Sequence, residues 1–141
     1  MRQWTVRVLL AIGLLSLPLS ARAALLVDQS NSSIVGPFCN LYSFDLCGQS
    51  FTPTKANIAG AGIYLTPNTL QSVGTGTITL SIFETYGASP AGLLASGTSG
   101  DVSEAAGWVD VFWAPVAVNP LTNYYLVISS NLTSGLLVGA Y

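Results

Sequence analysis

Few side chains in this chain could do covalent chemistry. There is no histidine at all. An acyl-transfer serine needs a base to take its proton. Beyond the N-terminal 23 residues the sole amine side chain is Lys55, and no Ser-x-x-Lys spacing places a serine beside it. Paired carboxylates could hydrolyse glycosides. Asp101 and Glu104 lie close together in a Gly/Ser-rich turn, and Asp110 lies in an alternating segment. Solvated turn and edge charges account for them more simply, so the sequence predicts no catalytic residue and no enzyme.

Two other site chemistries are conceivable. Asp28, Asp45 and Asp101 offer hard oxygen ligands for a structural calcium ion, but no D-x-D-x-D-G loop organises them. Cys39 and Cys47 lack the histidine or further cysteine that a soft tetrahedral metal site needs. A disulfide between them is the expectation. Closing so short a loop would stabilise the fold by roughly 2.5 kcal/mol on the chain-entropy model. No metal site and no cofactor are therefore assigned, with calcium left open.

The aromatic side chains are the best binding lead. Trp and Tyr combine a flat apolar face with a polar edge, which suits stacking on sugar rings. In Gly107–Trp113 (GWVDVFW), Trp108, Asp110 and Phe112 share one face, and Val109, Val111 and Trp113 share the other. At most one of the two tryptophans then belongs to the core. Trp108, beside Gly107, is assigned there, and Trp113, before Ala114-Pro115, is assigned to the surface. Tyr86 sits in a loop, and Tyr124 and Tyr125 face opposite ways. The binding candidates are Trp113, Tyr86 and one of Tyr124 and Tyr125, with ordinary core packing as the competing use of each. Asn31-Ser32-Ser33 and Asn131-Leu132-Thr133 match the N-glycosylation pattern, and neither is assigned a role.

The elements that must position these residues are short strands. Thr77–Thr85 (TITLSIFET) alternates most cleanly, with Ile78, Leu80 and Ile82 against Thr77, Thr79 and Ser81. Asn57–Leu65 (NIAGAGIYL) is a strand whose central Ala and Gly residues suggest close approach by another layer. Leu93–Thr98, Tyr124–Ser129 and Leu136–Tyr141 read as further strands. Pro115 and Pro120 bracket an edge or bend at Val116–Val118. Asn31–Cys47 reads as irregular. Strands recurring every 8–16 residues between Gly, Pro, Asn and Ser predict an all-β antiparallel sandwich. A closed barrel is second, and no repeat is present.

The N-terminus sets the compartment. Arg2 and Arg7 precede a 12-residue apolar run, Val8–Leu19, which is followed by Ala21-Arg22-Ala23. This is the pattern of a cleavable signal peptide over residues 1–23. The run is too short for a transmembrane helix, which needs about 20 residues. Residues 24–141 then form one exported domain, in an oxidising compartment that favours the disulfide. Removal of the leader leaves Lys55 alone against six carboxylates, a formal charge of −5 (one cation, six anions). Such a chain cannot neutralise a run of phosphates, so no nucleic-acid partner is expected and anionic membrane surfaces are disfavoured. With half its residues apolar and 7% charged, it is not a disordered chain.

Motifs from Gly48 to Ser130, in order and spacing, carry a resemblance. They are G-Q-S-F-T-P-T (48–54), I-A-G-A-G-I-Y-L (58–65), T-I-T-L-S-I-F-E-T (77–85), G-L-L-A-S-G-T (92–98), G-W-V-D-V (107–111) and P-L-T-N-Y-Y-L-V-I-S (120–129). This stretch resembles the bacterial exported jelly-roll domains of PEP-CTERM and related choice-of-anchor surface proteins. The resemblance implies a jelly-roll-like β-sandwich, secreted or held at the cell surface, with no catalytic set and no defined ligand. Its relatives continue past the Tyr-Tyr-Leu strand, and the sorted ones carry a Pro-Glu-Pro tail. Here the chain stops at Tyr141 in an apolar run. Either that strand is buried centrally or the chain is a truncated copy. Two function classes follow. One is a non-catalytic module binding carbohydrate or extracellular matrix, favoured by an exposed coplanar aromatic pair. The other is a self-associating structural or biofilm-matrix protein, favoured by an exposed apolar edge near Leu136–Tyr141.

Overall fold

A computed structural model describes residues 26–30, 38–41, 47–67, 75–86, 90–102, 107–132 and 136–139. Residues 1–23, read above as a signal peptide, Asp45, Glu104, the Asn31 glycosylation pattern and Tyr141 lie outside the described residues. Eight strands form: β1 (Phe38–Leu41), β2 (Cys47–Phe51), β3 (Asn57–Pro67), β4 (Ile78–Phe83), β5 (Leu93–Thr98), β6 (Gly107–Ala117), β7 (Tyr124–Ser130) and β8 (Leu136–Gly139). They make two four-stranded antiparallel sheets, ordered β1-β8-β3-β6 and β2-β7-β4-β5. Only β4 and β5 are consecutive neighbours in one sheet. Every other connection crosses to the opposite sheet, as expected for a sandwich. One short 3-10 turn, Pro90–Gly92, is the only helical element among the described residues. Among the described residues, no helix is long and apolar enough to cross a membrane.

The alternation in β4 reads directly into the core. Ile78, Leu80 and Ile82 are fully buried, while Thr79 and Ser81 face outward and hydrogen-bond Thr98 and Ser96 of β5. The main core joins both sheets: Leu41, Ile63, Leu65 and Val111 from one, Cys47, Ile78, Leu80 and Ile128 from the other. A second cluster forms around Ile82, Val118 and Tyr124. Each fully buried Leu or Ile contributes about 2 kcal/mol by leaving water.

The two sheets are tied along both flanks. On one flank Cys39 of β1 and Cys47 of β2 form a disulfide, with Cα atoms 6.1 Å apart. On the other, β5 and β6 lie side by side. A Cβ added to Gly97 would stand 2.6 Å from Val111 Cγ1 and 3.2 Å from the Phe112 carbonyl oxygen. Gly97 is therefore a point of close approach between the layers, and only a glycine leaves room for it.

This corrects the reading of β3. Its central glycines do not admit another layer. Ala61, Ile63 and Leu65 face the core, whereas Gly60 and Gly62 lie on the outer face, opposite Phe112 and Asp110 of β6. One further expectation changes: the segment read as irregular contains β1, a short edge strand that pairs with β8. Of the two alternatives for the last strand, β8 takes the central place, between β1 and β3 with both backbone edges engaged. Pro115 falls in β6, on the rim of its sheet, where a missing N–H is tolerated.

Candidate functional site

The tryptophan assignment is reversed by the structure. Trp113 points inward, packs against both core clusters and donates its indole N–H to the Ile58 carbonyl at 3.3 Å. Trp108 is 51% exposed on the outer face. The alternation had separated the two faces correctly. Which face is inside follows from the pairing with β3, where the apolar side is Ala61, Ile63 and Leu65.

Three cross-strand pairs build the outer face of β3 and β6. Tyr64 stands opposite Trp108, Gly62 opposite Asp110, and Gly60 opposite Phe112. Tyr64 and Trp108 meet edge-to-face, with centroids 5.7 Å apart and planes at 73°, a favourable geometry for aromatic quadrupoles. The two glycines then act together. A Cβ at position 60 would lie 2.6 Å from Phe112 Cδ1, and one at position 62 would collide with Asp110 Oδ1. Phe112 and Asp110 therefore lean across β3 over bare backbone. Phe112 keeps 62% of its surface exposed while doing so. Successive same-face residues on a strand are about 6.6 Å apart, so Trp108 and Phe112 stand about 13 Å apart with the carboxylate midway.

Among the described residues, no cation stands beside that carboxylate. Lys55 is the sole Lys or Arg among the described residues, and it sits in the bend before β3, next to Asp28. Along β3 it lies roughly 16 Å or more from Gly62, beyond the screening length of about 8 Å at physiological salt.

A second aromatic pair occupies the outer face of the other sheet. Tyr86 (68% exposed) lies 5.5 Å from Tyr125 between ring centroids, with planes at 59°. Its Cε2 sits 3.0 Å from where a Cβ on Gly48 would be. The structure thus joins two of the sequence-derived candidates, Tyr86 and Tyr125. Neither this pair nor Tyr64–Trp108 is coplanar. Tyr124 and Trp113 lie elsewhere. Tyr124 is 3% exposed, packs against Phe51, and its hydroxyl accepts the Asn119 N–H at 2.9 Å.

Of the acidic candidates, Asp28 serves local structure. Asp28 accepts from the Thr54 N–H at 2.7 Å and from the Thr54 hydroxyl, and the Gln29 side chain donates to the Thr52 carbonyl. Those Thr54 bonds, hydroxyl first and then amide, with a smaller contribution from Lys55, hold the Asp28 carboxyl below its ordinary range. Donors surround it, where a calcium ion would need acceptors. Asp101 is exposed. No group of three or more potential metal ligands occurs among the described residues. Asn131 of the second glycosylation pattern accepts the Thr77 N–H through its side chain at 2.6 Å.

Sequence reasoning missed Trp108, Asp110 and Phe112 as a surface group. The available signal was the Gly60/Gly62 spacing of two, which marks one face of β3 as lacking core side chains. Comparison with family models, with curated proteins and with solved structures finds no match to this chain.

Proposed function

We propose that this protein is an exported, non-catalytic jelly-roll module that binds carbohydrate or extracellular matrix through the outer face of β3 and β6. The observation that carries the reading is the pair of exposed rings, Trp108 and Phe112, on one face of one strand. Phe112 leans over the Gly60 backbone and stays 62% exposed, which leaves ring surface for stacking on a sugar. The strand order, with one hairpin and all other connections crossing between sheets, supports the jelly-roll reading. The charged start, short apolar run and Ala-x-Ala of residues 1–23 support export, as does the disulfide. The resemblance of residues 48–130 to bacterial surface domains supports a place at or outside the cell surface. The scarcity of cations argues against nucleic acid.

The test is a pull-down of the oxidised protein on insoluble polysaccharides, with Trp108→Ala beside it. Saturable binding that Trp108→Ala removes is the expected result. Binding that survives that change, or its absence on every polysaccharide, would overturn the reading.

Self-association is the second reading, and the same observation favours it. Two exposed aromatic side chains on an edge strand also suit a second copy of the chain. Sedimentation would then show a concentration-dependent dimer that Trp108→Ala dissolves.

A further inference from the structure

The β3/β6 face holds two exposed aromatic rings with a carboxylate between them, and we infer that it selects polysaccharides bearing protonated amines over those bearing carboxylates. This rests on the carbohydrate reading above and specifies its ligand class. Rings and an anion together are the means by which proteins recognise an ammonium group: the ring faces attract the cation, and the carboxylate supplies the counter-charge. Asp110 is exposed, leans over Gly62 and has no cationic side chain beside it among the described residues. An incoming amine therefore displaces no existing ion pair. A uronic acid in the same place would meet like charge, on a domain that the leader's removal leaves strongly acidic.

The platform suits a glycan better than a basic peptide. A peptide commonly docks on a sheet by adding a strand to an open edge. Around Val111 and Phe112 that edge of β6 is crowded, because β5 of the other sheet runs alongside it without pairing, with Gly97 near the Phe112 carbonyl. What remains open is the face, and a face of flat rings suits pyranose rings.

Chitin and chitosan share a backbone and differ in whether the amine is acetylated or free. Oxidised protein is titrated against both, and against alginate as the carboxylate-bearing polymer, at a pH where the free amine is protonated. Expected is binding to chitosan about fivefold tighter than to chitin, the size an exposed ion pair supports, and none to alginate. Asp110→Asn should bring chitosan down to the level of chitin and leave chitin unchanged. Asp101→Asn removes the same charge from an exposed site elsewhere and should change nothing, which separates the site from the overall charge. Equal binding to chitin and chitosan, or equal losses in the two Asn variants, overturns the selectivity while the carbohydrate reading stands. No binding to any glycan overturns both. Asp110-dependent binding of a lysine polymer without glycan binding would move the site to peptides and overturn the inference.

Discussion

Phe112 stands opposite Gly60, and its ring fills the space that a Cβ at position 60 would occupy. The glycine is there for its neighbour's side chain. An added methyl would meet Phe112 Cδ1 at 2.6 Å and, less forgivingly, the Val111 carbonyl oxygen at 2.7 Å. Gly60→Ala should therefore destabilise the protein by about 1–3 kcal/mol, as overpacking does. Phe112→Ala should cost under about 1 kcal/mol, because its ring is mostly exposed. Urea denaturation of the two variants checks both, and a larger cost for Phe112→Ala would refute the account.

The two tryptophans should separate stability from binding. Trp113 bridges both core clusters and donates to Ile58, so Trp113→Ala should cost about 3 kcal/mol. Trp108→Ala should cost under about 1 kcal/mol, yet abolish retention on polysaccharide. Denaturation midpoints and pull-downs on the same samples decide this.

The Cys39–Cys47 disulfide joins the edge strand of one sheet to the edge strand of the other. Reduction should lower stability by about 2.5 kcal/mol, mostly by freeing the unfolded chain. A Cys39→Ser/Cys47→Ser variant should match the reduced wild type and show no further response to reductant. Thermal or urea unfolding with and without dithiothreitol measures it.

Acid should release the segment around Asp28. Its folded-state pKa is depressed by the Thr54 hydroxyl and amide and by Lys55. A depressed carboxyl contributes stability that is present above its unfolded value, about 3.9, and is lost as pH falls through the lower folded value. The loss is local, at residues 26–30 and the bend at 54–56. Amide exchange or NMR shifts of Thr54 should show a step in that window, and Asp28→Asn should remove it. A step persisting in the variant would assign it to another group.

Periodicity and composition determined much of this protein. The alternation of Thr77–Thr85 placed Ile78, Leu80 and Ile82 in the core before any fold was known. Turn residues at regular intervals implied a sandwich, and two cysteines, with the export expected from residues 1–23, implied a bridge. These are local properties, because a period of two and a turn-forming residue are legible within one segment. Tertiary structure alone decided which face of GWVDVFW looks inward. Alternation separates Trp108 from Trp113 but is symmetric between them. The choice depends on the register that sets Tyr64, Gly62 and Gly60 against Trp108, Asp110 and Phe112. Those partners lie more than 40 residues apart in the chain. β1 was hidden for a related reason. Its four residues are too few to show a period, and they form a strand only because β8 arrives from the far end of the chain to pair with them. A surface of rings over glycines is likewise a property of two strands in register, and neither strand carries it alone.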